Sequence, residues 1–291
     1  SRDGFGSKLG IIAAAAGSAV GLGNIYRFPC ELGNNGGGAF LIVYLFIVLG
    51  LGVPVMLSEF VIGRRTQKNP VGAFRMLKPK SGWPIIGYMG VICGLIIMAF
   101  YSTVAGWTLE YIVKAVGNQF AGKDLEVIEQ EFVDFHNIGW KNILWQCVFI
   151  FLTAFVVFKG VADGIEKYSK ILMPLLVVIL IVLAVRSITL PGGMDGLAFL
   201  FKPDFSKITD SVVISALGQA FFSLSMGMGV LITYGSYIRK EDNMVSSAVS
   251  VVLADTLIAV LAGLVIFPAA FSFGIQPPAG MGGFQHLAYA L

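Results

Sequence analysis

One carboxylate, Asp255, sits deep in a stretch, Met244–Phe271, that otherwise carries no charge. An ionisable side chain at that depth in lipid marks an ion or substrate pathway by default. The alternative is a carboxyl satisfied by neighbouring helices. Two further apolar stretches are interrupted in the middle by small polar residues and a Gly-x-Gly. The first runs Gly17-Ser18-Ala19-Val20-Gly21-Leu22-Gly23-Asn24 and the second Ser223-Leu224-Ser225-Met226-Gly227-Met228-Gly229. Each would make a poor continuous helix. Close helix packing through small residues is one explanation. Unwinding is the other, and it frees backbone N–H and C=O groups at mid-membrane, which is tolerable only where they line a site. Half-helix N-termini then attract anions, and freed carbonyls coordinate cations. The chemistry these residues can do together is ion binding. Glu59 is the only possible companion carboxylate for Asp255, and it falls near the inner end of its apolar stretch, which argues against a paired-carboxylate protease.

The elements that must position these groups are membrane spans. Of 291 residues, 56% are hydrophobic and 13% charged, about half the charge a water-facing domain of this length carries. Seven apolar stretches have helical length and no strand alternation: Leu9–Leu32, Gly38–Ile62, Pro84–Val116, Asn142–Phe158, Ile171–Leu190, Ser211–Tyr237 and Met244–Phe271. The expected fold class is therefore an all-α membrane protein. Between Gly63 and Gly82 lie six basic residues (Arg64, Arg65, Lys68, Arg75, Lys78, Lys80) and no acidic one, whereas Asn118–Lys141 holds five acidic and two basic residues. Short cytoplasmic loops are rich in Lys and Arg, so the first loop faces in, the second faces out and the N-terminus is cytoplasmic. The expected location is the cell's inner (plasma) membrane. The net charge of +3 and the absence of a basic patch with interleaved aromatics give no sign of nucleic-acid binding. Cys30, Cys93 and Cys147 lack CxxC spacing and read as buried, inert thiols. Ser1 in place of Met suggests a trimmed or processed start.

The motif GSAVGLGNIYRFP at Gly17–Pro29, continued by NNGGGAF at Asn34–Phe40, resembles the first-span signature of the neurotransmitter:sodium symporters. QAFFSLS at Gln219–Ser225 and ITYGSY at Ile232–Tyr237 resemble that family's sixth span, and the likeness runs from Arg2 to about Gly274. The resemblance, to the branch of bacterial hydrophobic amino-acid transporters, implies an inverted-repeat fold with discontinuous first and sixth helices. Broken helices at mid-membrane are a general feature of secondary transporters, for which this family is itself an example, so the two lines are not independent. About twelve spans are expected. This chain would hold about seven, with residues 1–190 as the first repeat (spans 1–5) and 191–291 as the start of the second (spans 6–7 and an outer loop). That reads as a fragment, and Gly282–Leu291 matches the family's outer loop poorly.

What the resemblance implies about sites follows residue by residue. A first sodium would be held by the Ala19 carbonyl, Asn24, Ser223 and a seventh-span residue that in the family is usually Asn. Aligning on Gly263 places Asp255 there; aligning without a gap on Pro268 places Ala254 there. Chemistry favours Asp255, since sodium needs oxygen ligands. A second sodium would retain only its first-span carbonyls, Gly17 and Val20. Related proteins that need chloride place it near positions matching Tyr44, Gln219 and Ser223. A fixed carboxylate at Asp255 could supply that negative charge, so chloride independence is expected. The substrate carboxylate would meet the first sodium, the amides around Leu22 and Gly23, and the Tyr101 hydroxyl. Its amino group would meet carbonyls of Ala19, Phe222 and Ser225. Monoamine carriers have Asp where this chain has Gly21, so the substrate would bring its own carboxylate: an amino acid. Ile97, Phe222 and Met228 would line an apolar side-chain pocket, with the adaptable Met228 tolerating several hydrophobic or aromatic shapes. Arg27 matches the outer gate, and Arg2 with Phe5 the inner gate. Gly164 and Pro174 match a segment of the fifth span that unwinds in relatives. The rival reading is a seven-span ligand-binding receptor; it gives no reason for two mid-span breaks, and a retinal protein is excluded because Val245–Phe271 contains no lysine.

Overall fold

The computed structural model describes residue 17 and residues 20–239 and 241–275. A wide helical turn, Gly23–Arg27, leads into α1 (Phe28–Asn34). Next come α2 (Gly38–Ile47) and α3 (Val53–Thr66), joined through a second wide turn, Val48–Gly52. The short α4 (Pro70–Leu77) precedes α5 (Pro84–Val116), α6 (Leu125–Asn137) and α7 (Gly139–Phe158). Then follow α8 (Lys167–Ile188), α9 (Gly193–Phe201), α10 (Asp210–Ser223), α11 (Val230–Gly235) and α12 (Met244–Ser272).

Among the described residues, five helices are long and apolar enough to cross a membrane: Gly38–Thr66, Pro84–Val116, Gly139–Phe158, Asp163–Ile188 and Met244–Ser272. They are the expected second, third, fourth, fifth and seventh spans, with ends that shift by a few residues. The first half of span 1 lies mostly outside the described residues. Span 6 is two short helices, α10 and α11, separated by Leu224–Gly229. In span 1 helical backbone is established by Leu22, so Asn24 lies inside the wide turn rather than in the break.

Two expectations need correcting. The acidic loop holds a helix, α6, whose apolar residues Ile128, Phe132 and Phe135 recur at helical spacing. Cys93 and Cys147 are exposed on the outer faces of α5 and α7, not buried. Gly164 and Pro174 both lie in helical backbone.

The core gathers around spans 1, 2, 6 and 7. Phe28, Phe40, Tyr44, Met56, Phe60, Leu224, Ala259 and Phe267 pack in one cluster, while α7 buries none of its residues. Lipid offers no hydrophobic drive for helices to associate, so close backbone approach matters. Gly63 supplies it: a Cβ there would stand 2.1 Å from the Ile232 carbonyl oxygen. Capping fixes where the helices around the breaks start. Asn69 Oδ1 accepts the Gly72 N–H at 2.8 Å ahead of Pro70, and Asn243 Oδ1 accepts the Ser246 N–H at 3.1 Å.

Candidate ion and substrate site

Span 6 ends its first half because the backbone turns left-handed three times, at Ser225 (φ 55°), Gly227 (φ 80°) and Gly229 (φ 73°). The two glycines adopt this without strain. Ser225 does so at a cost of about 1–2 kcal/mol. The break leaves Ser223 as the last residue of α10, facing the middle of α12 and the wide turn of span 1.

There, Asp255 is fully buried. Asn24 Nδ2 lies 2.8 Å from its Oδ1 and 2.9 Å from its backbone carbonyl oxygen. Ser223 Oγ is 2.9 Å from each carboxylate oxygen, and the Tyr44 hydroxyl donates to Oδ2 at 3.4 Å. Asn24 Nδ2 also reaches Ser223 Oγ at 3.2 Å, and Asn24 Oδ1 accepts the Gly21 N–H at 3.2 Å. Beside this cluster Gln219 Nε2 donates to the Gly23 carbonyl at 2.8 Å. Four spans thus converge on one carboxylate. Of the two alignments, Asp255 is the residue whose side chain reaches Asn24 and Ser223.

Every side chain bonded to Asp255 is neutral, and among the described residues no cation lies within ion-pair distance. A carboxylate taken out of water costs several kcal/mol unless compensated. Its own oxygens and the Ser223 hydroxyl are of the hard kind a hard cation takes, while Asn24 turns its amide N–H to Asp255 and its oxygen to the Gly21 N–H. No group of three or more His, Cys, Asp or Glu side chains that could hold a metal occurs among the described residues.

An aromatic and cationic layer adjoins the cluster. Tyr101 and Phe222 stand with ring centroids 6.0 Å apart, and the Arg27 guanidinium carbon lies 4.5 Å above the Phe222 ring. Arg27 Nε also contacts Glu31 Oε1 at 3.4 Å. A Cβ on Gly21 would touch the Tyr101 ring at 3.8 Å, and one on Gly23 the Phe222 ring at 3.3 Å. The start of the span 1 half-helix, around Leu22 and Gly23, therefore shares this layer with Tyr101 and Phe222. Ile97 is half-buried one turn before Tyr101 on the same face of α5.

Other expected residues stand apart. Met228 lies at the inner side of the break, its carbonyl 2.7 Å from where a Cβ on Gly90 would be. Val20 packs its side chain against Leu180 and Ile258, and Gly17 lies beside Ser169. Ala19, Arg2 and Phe5 lie outside the described residues.

Sequence reasoning missed Glu59 as a contributor. It is 8% exposed, and its Oε1 accepts the Gly227 N–H at 2.7 Å. A second intramembrane carboxylate therefore holds the other end of the span 6 break. The rule that singled out Asp255 applies equally to Glu59.

The chain matches the sodium:neurotransmitter symporter family over residues 2–134 and 118–274. It is 42% identical over 276 residues to the sodium-dependent transporter YhdH of Bacillus subtilis, a match covering 95% of this chain and 61% of that protein. It is 41% identical over 289 residues to a sodium-dependent transporter of Haemophilus influenzae, covering 96% of this chain and 63% of that one. The chain thus spans less than two thirds of the length of these relatives. The crystal structure of MhsT in complex with L-phenylalanine superposes with a TM-score of 0.90 at 44% identity, covering 100% of this chain and 70% of MhsT. This chain belongs to the sodium:neurotransmitter symporter family and has its discontinuous-helix fold.

Proposed function

We propose that this member of the sodium:neurotransmitter symporter family serves sodium-coupled symport of hydrophobic and aromatic L-amino acids by alternating access, without a need for chloride. The observation that carries the reading is the buried Asp255 carboxylate, held only by neutral groups between the breaks of spans 1 and 6. Sodium enters as co-substrate among the oxygens of Asn24, Ser223 and Asp255, with Ala19 as a further ligand. A second sodium takes carbonyls of Gly17 and Val20. The substrate carboxylate meets the amides of Leu22 and Gly23 and the Tyr101 hydroxyl. Its ammonium group meets carbonyls at Phe222 and Ser225, and its side chain lies against Ile97, Phe222 and Met228. Phenylalanine bound to MhsT supports the substrate class.

Arg27 over Phe222 forms the outer closure, and Arg2 with Phe5 the inner one. Residues 1–190 and 191–291 are read as the first inverted repeat and the start of the second, with the N-terminus in the cytoplasm and the chain in the plasma membrane. Coupling requires that sodium and substrate favour the same conformation.

The test is equilibrium binding of labelled leucine, phenylalanine and tryptophan to the purified protein, in sodium against potassium and in chloride against gluconate. Saturable binding that needs sodium and ignores chloride is expected. Binding indifferent to sodium would overturn the symport reading, and binding that rose steeply with chloride would overturn the role given to Asp255.

A further inference from the structure

The loop between spans 2 and 3 has a property that substrate and sodium binding do not use. From position 60 to position 109 the chain contains no acidic residue, while Arg64, Arg65, Lys68, Arg75, Lys78 and Lys80 cluster in it. Arg75, Lys78 and Lys80 are exposed, and among the described residues none has a carboxylate within ion-pair distance. Large apolar side chains lie among them: Met76, Leu77 and Trp83 are 55%, 41% and 50% exposed. Arg75 is held in place, its Nη2 at 2.5 Å from the Tyr88 hydroxyl and its guanidinium carbon 5.7 Å from that ring's centroid. Lys80 holds a left-handed backbone (φ 57°), disfavoured for any residue with a Cβ, in a turn closed by Ser81 Oγ donating to the Lys78 carbonyl at 2.7 Å. Cations interleaved with exposed Met, Leu and Trp at the mouth of a span have the composition that binds a negatively charged lipid surface.

The same loop touches the substrate-side machinery. Pro70, the first residue of α4, lies 2.5 Å from where a Cβ on Gly229 would stand, and the backbone of Val71 lies 2.7 Å from the corresponding point on Gly87. Glu59, Pro70, Phe74, Ile86, Gly227 and Gly229 border one cavity of about 110 Å³. Helix α4 therefore cannot shift by more than a fraction of an ångström without moving the break in span 6 or losing this packing.

We propose that the loop between spans 2 and 3 is a docking surface for headgroups of anionic phospholipids, and that α4 passes its occupancy to the break in span 6. The inference rests on the cytoplasmic placement of this loop given above. The headgroup phosphates lie against Arg75, Lys78 and Lys80, while Met76, Leu77 and Trp83 enter the acyl-chain boundary.

The experiment reconstitutes the full chain in phosphatidylcholine and measures association of spin-labelled phosphatidylglycerol against spin-labelled phosphatidylcholine. One engaged basic residue near an anionic surface favours association by about fivefold, so a preference of at least that size is expected, falling with salt. Arg75→Gln/Lys78→Gln/Lys80→Gln should bring it close to one. Lys80→Gly, which relieves the left-handed strain while removing one charge, should lower it without loss of fold. Equal association of the two lipids, or a preference unchanged in both variants, would overturn the docking surface. Phenylalanine binding measured with and without phosphatidylglycerol should then differ in the wild type and not in the triple variant. Identical affinities in the wild type would overturn the transmission through α4. Failure of all amino-acid binding would count against the transport reading, while the lipid preference would still be decided by the first measurement.

Discussion

Replacing Asp255 by Asn keeps the shape of the side chain and removes its charge, which separates an ion-binding role from a packing role. An ion among the oxygens of Asn24, Ser223 and Asp255 would sit within about 4 Å of the carboxylate charge. At an effective dielectric of about 20, two unit charges at that distance attract by about 4 kcal/mol. At 1.4 kcal/mol per tenfold, that is an upper bound of about a thousandfold in sodium affinity. Allowing for screening, D255N should raise the sodium midpoint by about a hundredfold or more. Without sodium the variant should unfold no earlier than the wild type, because the several kcal/mol spent burying an unneutralised carboxylate is relieved. The assay is thermal unfolding of the full chain in sodium against potassium. An ion present at a hundred times its dissociation constant stabilises by about 2.7 kcal/mol, so a sodium-dependent shift should be visible in the wild type and absent in D255N at the same concentration. D255A should behave differently. It strands the Asn24 amide and the Ser223 hydroxyl, bonded at 2.8 and 2.9 Å in the native cluster, and each loss costs about 1–3 kcal/mol. A D255N protein that keeps the full sodium shift at an unchanged midpoint would refute this account of the site.

Three further outcomes follow from the geometry. Glu59→Ala removes the acceptor of the Gly227 N–H, a bond worth about 0.5–1.5 kcal/mol. It should lower thermal stability and weaken phenylalanine binding, with Glu59→Gln retaining most of both. Gly63→Ala would drive a methyl group to 2.1 Å from the Ile232 carbonyl oxygen, so a loss of at least about 1–3 kcal/mol is expected in the melting transition; an unchanged melt would show that α3 and α11 are not held this close. Ser225→Gly relieves a left-handed serine (φ 55°) and should stabilise the fold by up to about 1 kcal/mol, read from the same transition.

The parts of the fold legible in the sequence were those fixed by local chemistry. Long apolar stretches announced spans 2, 3 and 7, and the glycines at 227 and 229 announced the break in span 6, where both take positive φ. Asp255 was legible because a lone carboxylate in lipid demands an explanation. Local chemistry did not name its partners Asn24, Ser223 and Tyr44, which only the resemblance supplied. Tyr44 lies 211 positions away, and Gln219 reaches Gly23 across 196. Tyr and Gln in a span are as compatible with packing as with a polar cluster, and only the resemblance had singled them out, as neighbours of a chloride site. Glu59 was misplaced for a different reason: hydropathy ended span 2 at Ile62, whereas the helix runs to Thr66, leaving Glu59 a turn deeper than it looked. The correction changes how the break should work. Its two ends are held by carboxylates from different spans, Ser223 by Asp255 of span 7 and Gly227 by Glu59 of span 2. Asp255 is gripped by Asn24, Ser223 and Tyr44, whereas Glu59 holds Gly227 through one N–H. Helix α11 packs closely on α3, the helix that carries Glu59, through Gly63 and Gly235, so a motion that swings α11 away from α10 should carry Glu59 and Gly227 together. Glu59→Ala then tests whether the break stays tied to α3, and Asp255→Asn tests ion binding.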